Sequence, residues 1–109
     1  MHEACKECRE VCMETLKYCK QKGGDHAKEE HLKLLEDCIK MCETAEDFMD
    51  RNSDVHAKVC ALCAEICDRC ADSCEMMAED EQMQKCAEAC RKCAEKCREM
   101  TSLMDRVTT

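Results

Sequence analysis

Fifteen cysteines in a chain of 109 residues fall at helical spacing, and that spacing decides which surface each helix must hide. From Cys60 through Cys63, Cys67, Cys70 and Cys74 the steps alternate three and four, and from Cys86 through Cys90, Cys93 and Cys97 four and three. Residues spaced this way share one stripe of an α-helix, the stripe a coiled coil fills with Leu or Ile. Here the stripe carries thiols. Conventional core formers cannot replace them, because Leu, Ile, Val, Phe and Tyr together number 14. The cysteines must therefore occupy much of the interior.

The rest of the composition suits long helices. Proline is absent, the only glycines are Gly23 and Gly24, and 39% of residues are charged. One domain over residues 1–109 is expected, all-α, as an antiparallel up-down-up-down four-helix bundle with a cysteine-lined core. The helices read as about 3–22, 26–51, 54–77 and 80–105. Gly23-Gly24 stops the first, Asp25 is placed to cap the second, and Asn52 suits a left-handed closing position. Ser53 is placed to cap the third helix. Glu79, Asp80 and Glu81 suit the positive end of the fourth. Its last two helices repeat a pattern, Cys63-Ala64-Glu65-Ile66-Cys67-Asp68-Arg69-Cys70-Ala71 returning as Cys86-Ala87-Glu88-Ala89-Cys90-Arg91-Lys92-Cys93-Ala94. Alanine beside the seam lets neighbouring helices approach closely.

A formal charge of −8 argues against nucleic acid as a partner, since phosphate neutralisation needs a basic surface. No apolar run approaches the roughly 20 residues that cross a bilayer, so no membrane partner is expected. The opening Met1-His2-Glu3-Ala4-Cys5 lacks a basic and apolar export segment. The expected location is the cytoplasm, where thiols stay reduced.

The thiols form six CxxxC pairs: Cys8/Cys12, Cys38/Cys42, Cys63/Cys67, Cys70/Cys74, Cys86/Cys90 and Cys93/Cys97. Residues four apart in a helix hold their Cβ atoms roughly 5–6 Å apart, too far for a disulfide but able to converge on one ion. Cys5, Cys19 and Cys60 complete the set. Cysteine also serves as a small buried hydrophobe, but fifteen on inward stripes exceed what packing asks for. Buried thiolates need cations, and no Lys or Arg lies on the seam. A soft monovalent ion, about one per thiolate, neutralises such a core, and Cu(I) is that ion. Zinc, held in isolated tetrahedral sets, and an iron–sulfur cluster, held by four cysteines converging on one volume, are the alternatives. The corresponding functions are Cu(I) storage, zinc buffering and electron transfer. No catalytic set stands out, neither a Cys–His pair nor a serine nucleophile, so no enzyme is expected. Met76, Met77 and Met83, with His26 and His31, gather near the first and third turns, where thioether and imidazole could receive ions. His31 lies one heptad before Cys38 and faces inward, and Met41 borders the seam. At the other end His56, four before Cys60, lies near Met49 and Met100.

These residues resemble the cytosolic copper storage proteins, cysteine-rich four-helix bundles. The resemblance is carried by Cys60-Ala61-Leu62-Cys63-Ala64-Glu65-Ile66-Cys67 and Cys86-Ala87-Glu88-Ala89-Cys90, and more weakly by Cys38-Ile39-Lys40-Met41-Cys42. It implies a bundle filled with multiple Cu(I) ions held mainly by cysteine pairs, and assembly into a homotetramer. Members usually carry histidines in the third turn, where this chain has Met76, Met77 and Met83. They often carry a cysteine where this chain has His31. Thr15 and Leu16 interrupt the first helix's seam.

Overall fold

A computed structural model describes the backbone of residues 3–108 and the side chains of residues 3–101; Met1 and His2 lie outside the described residues. The chain forms α1 (Glu3–Lys22), a 3-10 turn (Gly24–Ala27), α2 (Glu29–Asp50), α3 (His56–Glu75) and α4 (Glu81–Thr108). Each helix packs on its neighbours in sequence and α1 also packs on α4, closing a four-helix ring of 48 × 21 × 20 Å. No strand occurs among the described residues. The expected all-α antiparallel bundle is the observed one.

Several helix ends differ from the sequence expectation, each for a local reason. α2 starts at Glu29 rather than near 26, and Asp25 does not cap it. Gly23 and Gly24 both take positive φ, 71° and 57°, which turns the chain off the α1 axis. The 3-10 turn brings it back, with the Asp25 carbonyl accepting the Lys28 N–H at 3.4 Å. α3 starts at His56 rather than 54. Asn52 does take the left-handed conformation, φ 52°, but the Ser53 hydroxyl accepts the N–H of Val55 at 3.3 Å, ahead of the first helical residue. α3 ends at Glu75, two residues before expectation, leaving Met76 and Met77 in the turn. α4 begins at Glu81, with Asp80 Oδ1 accepting the Gln82 N–H at 2.9 Å as an N-cap does. It continues to Thr108, past the expected 105.

The core is mostly sulfur. All fifteen cysteines are buried and free, and Ala45, Ala64, Ala71, Ala87, Ala89 and Ala94 are buried beside them. Among the described residues the only buried polar side chains are Thr15, His31 and His56. Lys and Arg stay outside, where they link helices. Arg9 meets Glu46 at 2.9 Å between α1 and α2. Arg91 of α4 meets Asp68, Asp72 and Glu75 of α3. Such pairs are worth about 0–1 kcal/mol each at the surface. They link the outer faces of neighbouring helices; they do not neutralise the core.

Candidate metal centre

The inward stripes of four helices bring thiols onto a common axis. Five groups of four cysteines have all their Sγ atoms within 4.8 Å of one another. In order along the axis they are Cys5, Cys63, Cys93 and Cys97; Cys42, Cys63, Cys67 and Cys93; Cys8, Cys38, Cys42 and Cys67; Cys8, Cys12, Cys38 and Cys90; and Cys12, Cys70, Cys86 and Cys90. Each group draws on three helices, and each shares two cysteines with the next. The result is one continuous column. A sequence reading in CxxxC pairs finds the stripes but not these groups, because their members come from helices distant in the chain. Cys19, Cys60 and Cys74 lie outside them.

The spacing suits metal and not cystine. Cys8 and Cys38 lie 3.7 Å apart, Cys12 and Cys86 3.8 Å, and Cys5 and Cys93 3.4 Å. A disulfide requires about 2.05 Å. A metal with sulfur bonds of about 2.3 Å bridges sulfurs roughly 4 Å apart in trigonal geometry. Without metal the thiols hydrogen-bond among themselves. Cys42 is pushed up, first by its bond with Cys38, while Cys38 is drawn down by Cys12 and then Cys42. Burial opposes ionisation at both. An ion that binds a thiol still protonated displaces its proton.

At the end holding the 3-10 turn, Cys19 of α1, His31 of α2 and Met83 of α4 converge. Cys19 Sγ is 3.5 Å from His31 Nε2 and 3.8 Å from Met83 Sδ. His31 Nδ1 is 2.7 Å from the Ser73 hydroxyl of α3. This corrects the expectation that no Cys–His pair exists. The pair is not an activated nucleophile, however. Cys19 is fully buried, and burial first of all raises its thiol to about 11. Burial likewise lowers His31, favouring the neutral imidazole, one nitrogen of which carries a lone pair. A neutral nitrogen, a thioether and a thiol make a soft donor set.

The other candidates fall around this end. Met76 is 85% exposed, so it stands at the rim rather than on the column. Met77 is half-buried beside it. Both line an open cavity of about 1050 Å³ together with Tyr18, His26, Asp80 and Gln82. They also border a second groove of about 530 Å³ that His31 and Ser73 line. Met41 is partly buried against the core rather than within it. His26 is not at the column either. Its Nε2 donates to Asp80 Oδ2 at 3.1 Å, and the Tyr18 hydroxyl donates to the same oxygen at 2.6 Å. That clasp ties the first turn to the third and holds Asp80 down at about 2, the Tyr18 bond contributing most.

Thr15 is the residue whose role the sequence obscured. With Leu16 it reads as a break in the seam, yet Thr15 itself is fully buried on the seam and Leu16 lies beside it. Its hydroxyl donates to the Val11 carbonyl at 2.7 Å and accepts from Gln82 Nε2 at 2.9 Å. Leu35 takes the corresponding buried place on α2, between His31 and Cys38.

Comparison with known proteins agrees with this geometry. The family described as Copper storage protein matches residues 1–102. Among solved structures, a protein from Nitrosospira multiformis is 41% identical, with a TM-score of 0.86 covering 94% of this chain and 92% of that one. The Cu(I)-bound copper storage protein BsCsp3 is 33% identical, with a TM-score of 0.86 covering 92% and 93%. The apo form of copper storage protein 3 from Bacillus subtilis is 32% identical, with a TM-score of 0.82 covering 92% and 94%. Comparison with curated proteins yields no match. With its thiol column, its four-helix ring and a match running nearly end to end, this chain belongs to the copper storage protein family.

Proposed function

We propose that this protein stores multiple Cu(I) ions on its cysteine column, protecting the cell from free copper and holding it in reserve. The observation that carries the reading is the overlap of the five four-thiol groups. Zinc prefers closed tetrahedral sets, and an iron–sulfur cluster needs one enclosed set of four. Neither use calls for a ladder in which each set lends half its ligands to the next. A monovalent soft ion on each thiolate leaves the buried column neutral, which no Lys or Arg could do from the surface. The similar BsCsp3 is described as Cu(I)-bound. All fifteen cysteines, with His31 and Met83, are the proposed ligands; Met76 and Met41 serve as weaker contacts at the periphery. The protein works as a reservoir, not an enzyme, and its thiols require a reducing compartment, the cytoplasm. No described helix is long and apolar enough to cross a membrane. We assign it a homotetrameric assembly on the strength of its family resemblance.

The test is anaerobic titration of the reduced protein with Cu(I) against a competing chelator. Uptake should continue to about one ion per one or two thiols. Saturation at one or two ions per chain would end the storage reading. A brown protein with visible charge-transfer absorption would instead indicate iron–sulfur, and bound zinc that copper fails to displace would indicate zinc buffering.

A further inference from the structure

The end of the bundle away from Met83 holds a histidine in an unusual state. His56 opens α3 and is 6% exposed. Its Nδ1 lies 2.8 Å from the Ser53 backbone carbonyl. A carbonyl only accepts, so Nδ1 donates to it, and in the neutral imidazole Nε2 is then the nitrogen with the lone pair. That Nε2 is buried and has no hydrogen-bond partner, the one such side-chain nitrogen or oxygen among the described residues. A buried acceptor left unmatched is a destabilising arrangement that a ligand would relieve. Metal-binding histidines have this arrangement: one nitrogen tied to a carbonyl, which fixes the tautomer, and the other presented to the ion.

A second donor lies one turn away. Cys60, four residues on, is fully buried on the same stripe yet belongs to none of the five thiol groups. Residues four apart hold their Cβ atoms roughly 5–6 Å from each other. Bonds of about 2.0 Å to nitrogen and 2.3 Å to sulfur let one ion join them in near-linear geometry. Met49 and Met100 are partly buried against the core, and the Thr101 hydroxyl donates to the Ala57 carbonyl at 3.2 Å, seating α4 on the first turn of α3.

We propose that His56 Nε2 and Cys60 Sγ form a mixed nitrogen–sulfur Cu(I) site that terminates the column at this end. The choice of ion rests on the storage reading; the donor pair rests on the orphaned nitrogen. On binding, the Cys60 S–H bond breaks, its proton leaves to solvent, and sulfur bonds copper. His56 gives a lone pair and loses no proton. One Cu(I) enters, one proton leaves, and the site stays neutral. Both ends of the column then close alike, since His31 also has its Nδ1 occupied, by Ser73, and its Nε2 turned to a thiol.

The experiment follows the histidine ring nitrogens of the full-length, 15N-labelled, reduced chain by NMR during anaerobic Cu(I) titration. The spectrum of His56→Gln assigns the His56 signals. At saturation His56 Nε2 should leave its bare-acceptor position for that of a metal-bound nitrogen, while Nδ1 stays protonated and His26 does not respond. A His56 Nε2 signal unchanged at saturation overturns the site even when many ions bind. Saturation at one or two ions overturns it together with the storage reading, so the two failures are told apart. In the same titration, folded His56→Gln should take up one Cu(I) fewer per chain, and undiminished capacity counts against the proposal. Should that variant not fold, the unaltered chain's spectrum, assigned from partially loaded samples, still decides.

Discussion

Thr15 shows how much one atom on the seam matters. It occupies a thiol position with a hydroxyl, held by Val11 and Gln82, and so leaves a gap between Cys12 and Cys19. Replacing it with cysteine removes the Gln82 bond, at a cost of about 1 kcal/mol to the metal-free protein. The replacement also supplies a sulfur where the first helix has none. Thr15→Cys should therefore melt slightly lower without metal and take up more Cu(I) per chain than the wild type. Unaltered uptake would mean that this layer lies beyond reach of the column. Cys19, just past the gap, gives a prediction of the opposite kind. Burial raises its thiol from 9.0 to about 11, so the folded state holds its proton longer than the unfolded one. The stability this contributes is complete below about pH 9 and is lost as pH rises through about 11. Thermal melts of the reduced, metal-free chain should fall across that window. Those of the copper-loaded chain, whose sulfurs have already given up their protons, should fall less.

Helices and their ends differ in how far the sequence reveals them. The cysteine steps of three and four predict both the existence of α3 and α4 and their buried faces, because a 3.6-residue period leaves few alternatives. Their ends are harder to read, since they depend on backbone angles that composition only suggests. Gly23-Gly24 predicts a stop, but not the 3-10 turn that delays α2 and carries His26 to Asp80. Gly23, at φ 71° and ψ −163°, occupies a region essentially reserved for glycine. Gly24, at φ 57°, is in ordinary left-handed territory, and a Cβ at either position meets nothing within 4 Å. Any penalty is thus purely conformational. Gly24→Ala should cost about 1–2 kcal/mol, and Gly23→Ala more, as read by chemical denaturation of the metal-free protein. Equal effects would contradict the described turn. The convergence of Cys19, His31 and Met83 was equally hidden. The sequence placed His31 and Met83 at one end, yet only the packing of three helices shows them sharing a thiol.

For the whole molecule, the metal-free fold rests on modest forces. Thiols and alanines bury less apolar area than Leu or Phe would, and buried area sets most of the driving force. Copper binds only where helices have already gathered the ligands, so each occupied site adds about 2.7 kcal/mol when free ion exceeds its dissociation constant a hundredfold. Loading should raise the melting temperature steeply, and removal by a strong chelator should return it to the apo value. Matching melting curves with and without Cu(I) would refute this. The shared cysteines also bear on how copper travels through the bundle. Because neighbouring sets have two sulfurs in common, an ion can move along the bundle by exchanging one bond at a time, never losing its grip on thiolate. A relay of that kind lets a single doorway serve the entire length, with the deepest seats filled from the same side as the shallowest.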